Sequence, residues 1–263
     1  MGERRVNAIR IRRHPLAALL RARGYEGQHE LLFRGALDPW SAARKSAGRS
    51  LGTALAVGAG WREAKALAAY PFERIVLSGI AEPDTAVQEA AARDPRIVYE
   101  LANAEALPYP SRSFDLVLCK EALHHLARPV QGFYELLRVC RARAVLIEPW
   151  SCALLRGFDR LGLTTRFERG QVANLAARDN HVYRFDARAL DSLLASYYLD
   201  SGARCEVRVG WISNRVLVPR SARVRSALVA AGWAASWFPG AAGNLATVAI
   251  EPGRDLPPDP RHI

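Results

Sequence analysis

Between Thr53 and Pro149 the chain alternates short, continuous apolar runs with stretches of helical texture. TALAVGAG is an apolar run closed by glycines, which predicts a buried strand entering a tight turn. EAKALAAY follows as helix, RIVLSGI as a second buried strand, and PDTAVQEAAAR as a helix with Pro83 near its first turn. RIVYELA, SFDLVLCKE and RAVLIEP supply three more strands, with ARPVQGFYELLRVCR as the helix before the last of them. Strands and helices alternating at this spacing build βαβ units and a parallel sheet. Runs as unbroken as DLVLC and AVLIE suit a sheet covered on both faces. The expected fold class is α/β: a Rossmann-like, doubly wound, mostly parallel sheet.

The flanks differ in texture. Residues 1–50 hold 11 Lys+Arg against 4 acids, and Leu16, Leu19, Leu20 and Leu31–Phe33 predict short amphipathic helices there. Beyond Trp150 the rhythm breaks: 151–184 is irregular and polar. DARALDSLLASYYL then reads as a helix with Asp186 as its N-cap, and CEVRVGWIS as a strand. A helix near Ser221–Trp237 and a strand over Thr247–Ile250 close the fold. The resulting division is a basic helical segment (1–50), a cofactor-binding half (51–150), a substrate cover with sheet completion (151–252) and a flexible tail (253–263).

In open α/β sheets ligands sit beyond the carboxyl ends of the strands, near the point where strand order reverses. Here the first strand–turn–helix reads Ala56-Val57-Gly58-Ala59-Gly60-Trp61-Arg62-Glu63. A G-x-G turn is a weak signal alone. Residues 103–141, NAEALPYPSRSFDLVLCKEALHHLARPVQGFYELLRVCR, are far more specific. Together with the turn they resemble the class I S-adenosylmethionine-dependent methyltransferases, in the branch that reads D-A-E-x-L-P-F, then S-F-D-x-V, then L-H-H-L. HVYRF and the residues after it are similar to methyltransferase-like proteins of bacterial surface-polysaccharide synthesis.

The resemblance implies the class I methyltransferase fold and S-adenosyl-L-methionine as cofactor. Ala56 and the Gly58–Gly60 turn would lie under its methionine part, and Gly79-Ile80-Ala81-Glu82 would approach the ribose. Asn103-Ala104-Glu105 would lie beside the adenine, and Cys119-Lys120 would border the sulfonium. The departures are physical. The branch carries acids where this chain has Ala56, Ala81 and Asn103, and a third glycine where it has Arg62. An alanine side chain accepts no hydrogen bond from a ribose hydroxyl. Either Glu82 and Glu63 supply displaced carboxylates, or the cofactor site is lost or repurposed in a non-catalytic binding protein. Arg62 inside the turn favours an anionic ligand.

Methyl transfer needs alignment and a base for the acceptor hydroxyl. His124 and His125 are the catalytic candidates, against a plain capping role, and His181 is a third. Glu121 either orients a ligand amine or a histidine or is a first-turn acid, and Glu148 ends the fifth strand as a substrate group or a solvated charge. Arg156, Arg160, Arg166, Arg169, Arg178 and Arg184, with Tyr183, Phe185, Tyr197 and Tyr198, suit a small-molecule or glycan substrate, anionic in one version.

The net charge of +11 rests on 34 Arg and only 3 Lys, a bias that reads as solvated faces before it reads as nucleic-acid binding. Cys119, Cys140, Cys152 and Cys205 have neither zinc nor disulfide-scaffold spacing, so no metal is expected, and a reducing cytoplasm fits. Ser226–Ile250 lacks charge, but Pro239-Gly240 and Gly243 interrupt it, so no transmembrane segment is expected. Peripheral membrane contact through Trp233, Trp237 and Phe238 stays open beside core packing.

Overall fold

In a doubly wound sheet the crevice lies where strand order reverses, here at the carboxyl ends of the strands Thr53–Val57 and Phe114–Lys120. The structure is a computed structural model and describes residues 9–13, 24–162, 167–169, 179–198, 203–210, 221–235 and 243–253. In chain order the elements are β1 (Arg10–Arg13), α1 (Gly24–Ser46), β2 (Thr53–Val57), α2 (Trp61–Ala68), β3 (Arg74–Gly79), α3 (Thr85–Arg93) and β4 (Ile97–Leu101). There follow β5 (Phe114–Lys120), a 3-10 turn (Leu123–His125), α4 (Pro129–Val139), β6 (Cys140–Pro149), α5 (Ala153–Arg160), β7 (Phe167–Arg169) and β8 (Asp179–His181). α6 (Ala187–Tyr198), β9 (Arg204–Gly210), α7 (Ala222–Ala235) and β10 (Leu245–Glu251) complete the set.

Eight strands form one sheet in the order β1-β9-β10-β6-β5-β2-β3-β4, and β7 pairs with β8 separately. From β6 to β4 all neighbours run parallel. β10 lies antiparallel between β6 and β9, and β1 adds a parallel edge strand on β9. From β2 the chain winds outward through β3 to β4, then returns to β5 on the other side and winds out to β6. The order therefore reverses between β2 and β5, which is the expected doubly wound plan.

Strand alternation divides the core in two. Leu55 and Val57 face the layer of α4 and α6 with Phe133, Leu136, Leu190 and Leu194. Ala54 and Ala56 face the layer of α1–α3, against Leu37, Ala64 and Leu67. Each fully covered leucine contributes roughly 1.5–3 kcal/mol. At the amino ends of the strands Asp115 accepts from Thr53 N–H (3.0 Å) and pairs with Arg141 and Arg44, holding β2 and β5 together at the end opposite the crevice.

Four local expectations are corrected. Residues 24–46 form one 23-residue helix where Leu31–Phe33 were expected in a short one, β1 is a strand, and Leu16, Leu19 and Leu20 lie outside the described residues. α3 starts after Asp84, whose side chain accepts from Val87 N–H (2.8 Å), so Pro83 precedes the cap. The irregular stretch after Trp150 contains α5 and the β7–β8 pair. His124 and His125 do not open α4. They sit in their own 3-10 turn, and α4 begins four residues later with Pro129 at its first position. Asp186 does accept from Ala189 N–H (2.8 Å) at the start of α6.

Among the described residues no helix is long and apolar enough to cross a membrane. Trp237 and Phe238, most of the tail, Arg166, Arg178 and the side chains of Trp233, Arg169, Tyr198 and His181 lie outside the described residues.

Candidate functional site

β2 delivers the chain into Gly58 at φ +63°, the left-handed region that glycine occupies without penalty. A Cβ there would stand 2.5 Å from Ala122 Cβ, so the turn after β2 rests directly on the loop after β5. Gly60 then caps α2, and its N–H donates to Glu63 Oε2 at 2.8 Å. Glu63 is buried, and burial raises its carboxyl above the usual range against the pull of Lys120 and the Gly60 N–H.

The loop after β5 is strained and tightly held. Glu121 has φ +48°, a conformation that costs a non-glycine residue about 1–2 kcal/mol. Glu148, at the end of β6 and 1% exposed, organises the 3-10 turn beyond it. Its Oε1 accepts from Ala122 N–H and Leu123 N–H, both at 2.9 Å, and its Oε2 lies 2.7 Å from His124 Nδ1. An ionised carboxylate only accepts. Nδ1 of His124 therefore carries the proton in this contact, and Nε2 is left as the basic nitrogen. His125 stacks obliquely on His124, with ring centroids 4.1 Å apart. Cys119 is buried beneath them, and burial, reinforced by Glu148, pushes its thiol well up, so it stays neutral.

Lys120 and Glu121 pair at 2.6 Å (Nζ to Oε2). Burial would raise the Glu121 carboxyl, but Lys120, in direct contact and hydrogen-bonded to it, outweighs burial and holds the carboxyl below its ordinary value. His29 comes from α1. It is 2% exposed, and burial, with Lys120 next, lowers its pKa from 6.5 to about 4, so the ring is neutral. The floor between β2 and β5 thus gathers Glu63 and Glu121 around one ammonium, Lys120.

Arg62 belongs elsewhere. Its Nε donates to Glu26 Oε2 of α1 (3.0 Å), and its guanidinium lies over the Trp61 ring, 4.8 Å from the centroid. Both residues line a groove of about 390 Å³ between α1 and α2, with Phe33, Lys65 and Tyr70. The arginine expected in the glycine turn is an α1–α2 tie.

At the ends of the neighbouring strands β3 and β4, Ile80 and Leu101 expose apolar side chains, 52% and 56% accessible. Tyr99 O–H donates to Ala81 O (2.7 Å), and its phenol is raised by burial and by the nearby carboxylates of the exposed Glu82 and Asp84.

Of the twelve residues expected from the sequence, Gly58, Gly60, Cys119, Lys120, His124 and His125 meet at the crevice. Ala81 and Glu82 stand at the end of β3. Ala56 is fully covered inside the α1–α3 layer. Ala104 is buried in the α4-side core, and Asn103 Oδ1 accepts from Glu105 N–H. The Glu105 carboxylate is engaged by the Arg128 N–H and guanidinium (2.7 and 2.8 Å). In the segment after β6, Arg184 pairs with Asp159 and Arg156 with Asp186, while Phe185 and Tyr197 are core. Ile80 was expected only as part of the Gly79–Glu82 segment, and His29 and Leu101 were not expected at the site. Exposed apolar residues at strand ends carry no local sequence signal, and neither does a histidine on a helix distant in sequence.

Residues 55–147 match the family model described as a methyltransferase domain. The 27-O-demethylrifamycin SV methyltransferase of Amycolatopsis mediterranei is 40% identical over 58 residues, 20% of this chain. That match spans about a fifth (21%) of the relative's own length. The fold is similar to that of a S-adenosylmethionine-dependent methyltransferase from Mesorhizobium loti (TM-score 0.50, 17% identity, 82% of this chain and 97% of that one). It is also similar to the DszA carbon methyltransferase (TM-score 0.52, 15% identity, 87% of this chain and 54% of that one).

Proposed function

From a chain whose residues 55–147 match a methyltransferase-domain family model, we propose a S-adenosylmethionine-dependent O-methyltransferase acting on a small molecule or a glycan intermediate. The observation that carries this reading is the charge of the crevice. Glu63 and Glu121 surround a single ammonium, and Arg62 is drawn away to Glu26, so the described floor favours a cation over an anion. The cofactor fits on two further counts. The Gly58 backbone packs on Ala122 with no side chain between them, and Ile80 and Leu101 offer apolar walls to a flat base. Glu82 is the carboxylate nearest the position where Ala81 offers none.

Bound there, the cofactor supplies an electrophilic methyl carbon. This chain's residues then provide alignment and a base. His124 Nε2 takes the proton of the acceptor hydroxyl, and Glu148 holds Nδ1–H and stabilises the imidazolium that forms. The rifamycin-modifying relative, whose name describes methylation at an oxygen of a small molecule, supports the acceptor class.

Calorimetric titration with S-adenosylhomocysteine tests the reading. Saturable heat at micromolar ligand is expected, and none at millimolar ligand sinks it. Ala81 and Asn103, whose Oδ1 is occupied by the Glu105 N–H, favour one alternative, a methyltransferase fold with a repurposed site. That alternative requires indifference to His124→Ala and melting shifts only with other metabolites.

A further inference from the structure

We propose that Glu63 is the carboxylate that receives the α-ammonium of the cofactor's amino-acid end. This rests on the crevice being a S-adenosylmethionine site.

Glu63 is the third residue of α2, one turn beyond Gly60. A Cβ built on Gly60 would stand 3.7 Å from Glu63 Oε2, so the carboxylate oxygen lies directly against the Gly60 turn. A glutamate at the third position of a helix that accepts the cap N–H is a familiar capping arrangement. Such a residue gains nothing by leaving water, and carboxylates are almost never covered unless paired. Glu63 is nevertheless only 6% exposed.

Its pairing is incomplete. The nearby ammonium, Lys120, contacts Glu121 Oε2. Arg62, on the same turn of helix, points to Glu26. His29 is neutral and contributes no charge. Burial raises the Glu63 carboxyl in spite of Lys120, the backbone N–H groups of Gly60 and Glu63, and the more weakly acting Arg62, as expected of a carboxylate lacking a full counter-charge. Ala56, the last-but-one residue of β2, presents its methyl to the same α1–α3 layer that α2 belongs to, and it offers no acceptor. A carboxylate arriving from α2 therefore serves the turn that the strand leaves without one. An alkylammonium donating to it would complete the pair with a charge-assisted hydrogen bond.

The test compares two ligands by calorimetry. S-adenosylhomocysteine carries the ammonium; 5′-methylthioadenosine shares the adenosine and thioether but lacks the amino-acid end. Glu63→Gln keeps an oxygen for the Gly60 N–H. It is expected to weaken S-adenosylhomocysteine by about 10- to 100-fold and to leave methylthioadenosine within about threefold. Equal losses for both ligands, or none, overturn the proposal and return Glu63 to a capping role. The unaltered protein gives a second readout if the variant fails to fold. Near the raised Glu63 pKa, S-adenosylhomocysteine binding should release a proton, seen as a buffer-dependent heat, and methylthioadenosine binding should not. Identical proton release for both ligands overturns the proposal while the site reading survives. Binding of neither ligand to the unaltered protein overturns both.

Discussion

His29 gives the most direct measure of how α1 sits on the crevice. Its ring lies 2% exposed beside the Lys120–Glu121 pair at the end of β5. Burial, then Lys120 and Arg62, lowers its pKa from 6.5 to about 4 against the weaker pull of Glu121 and Glu26. The unfolded chain takes up this proton near 6.5, and the folded chain resists until about 4. Between those values the unfolded state carries more protons, so stability falls as pH falls. A gap from 6.5 to about 4, at ~1.36 kcal/mol per pH unit, amounts to about 3 kcal/mol of stability present at pH 7 and lost by pH 4. Glu63, raised by burial, acts with opposite sign over part of this range, and the lowered carboxylates Asp115 and Glu121 begin to fail only in the carboxylate range below. The difference between the unaltered protein and His29→Gln isolates the histidine. Urea unfolding from pH 7 to 4.5 should show the unaltered protein losing stability faster than the variant by up to one proton's slope. Parallel pH profiles would refute the placement of a neutral, buried ring beside Lys120.

Gly58→Ala forces an alanine to φ +63° and onto Ala122, so thermal unfolding should reveal a loss of at least ~1–2 kcal/mol, and S-adenosylhomocysteine affinity should fall with it. Glu148→Ala strands two backbone N–H groups and His124 Nδ1–H in a site 1% exposed, a cost of about 3–5 kcal/mol by urea unfolding. Glu148→Gln should destabilise less yet abolish turnover, because its amide presents the wrong partner to Nδ1. Arg62→Ala removes a partly exposed ion pair, so stability should move by less than about 1 kcal/mol and S-adenosylhomocysteine affinity should hold. A collapse of that affinity would return Arg62 to the pocket.

The sheet was legible because its strands announce themselves twice, by apolar continuity and by punctuation. VLSGI and DLVLCKE had to be buried strands wherever the rest of the chain went. The turn after β5 was half legible. L-H-H-L marked a site, but nothing local distinguished a helix start from an isolated 3-10 turn. That choice is made by Glu148, 24 residues downstream of His124, whose carboxylate gathers the Ala122, Leu123 and His124 donors. The lone acid closing RAVLIEP was visible, yet its partners exist only after β5 and β6 align in parallel. Arg62 failed in the opposite way. It lies in the first turn of α2 and not in the glycine turn, and its direction depends on Glu26, 36 residues away on a helix whose docking no local pattern encodes.

The arginine surplus also changes meaning once the partners are known. Arg44 and Arg141 serve Asp115 at the closed end of the sheet; Arg138 serves Glu135 in the core; Arg128 serves Glu105 at the start of α4. Arg143 pairs with Glu251 across the β6–β10 edge, and Arg208 reaches Gly35 O on α1. Guanidinium suits this work because its planar fork satisfies a carboxylate and a carbonyl at once without losing its charge. Lysine is the rarer residue, and one of the three sits at the crevice, where two carboxylates share it. A chain of net charge +11 thus keeps an acid-rich floor at its switch point by tying its arginines into the scaffold around it. Placing one further lysine at the Gly60 turn should therefore cost S-adenosylhomocysteine affinity more than adding the same charge anywhere on α7.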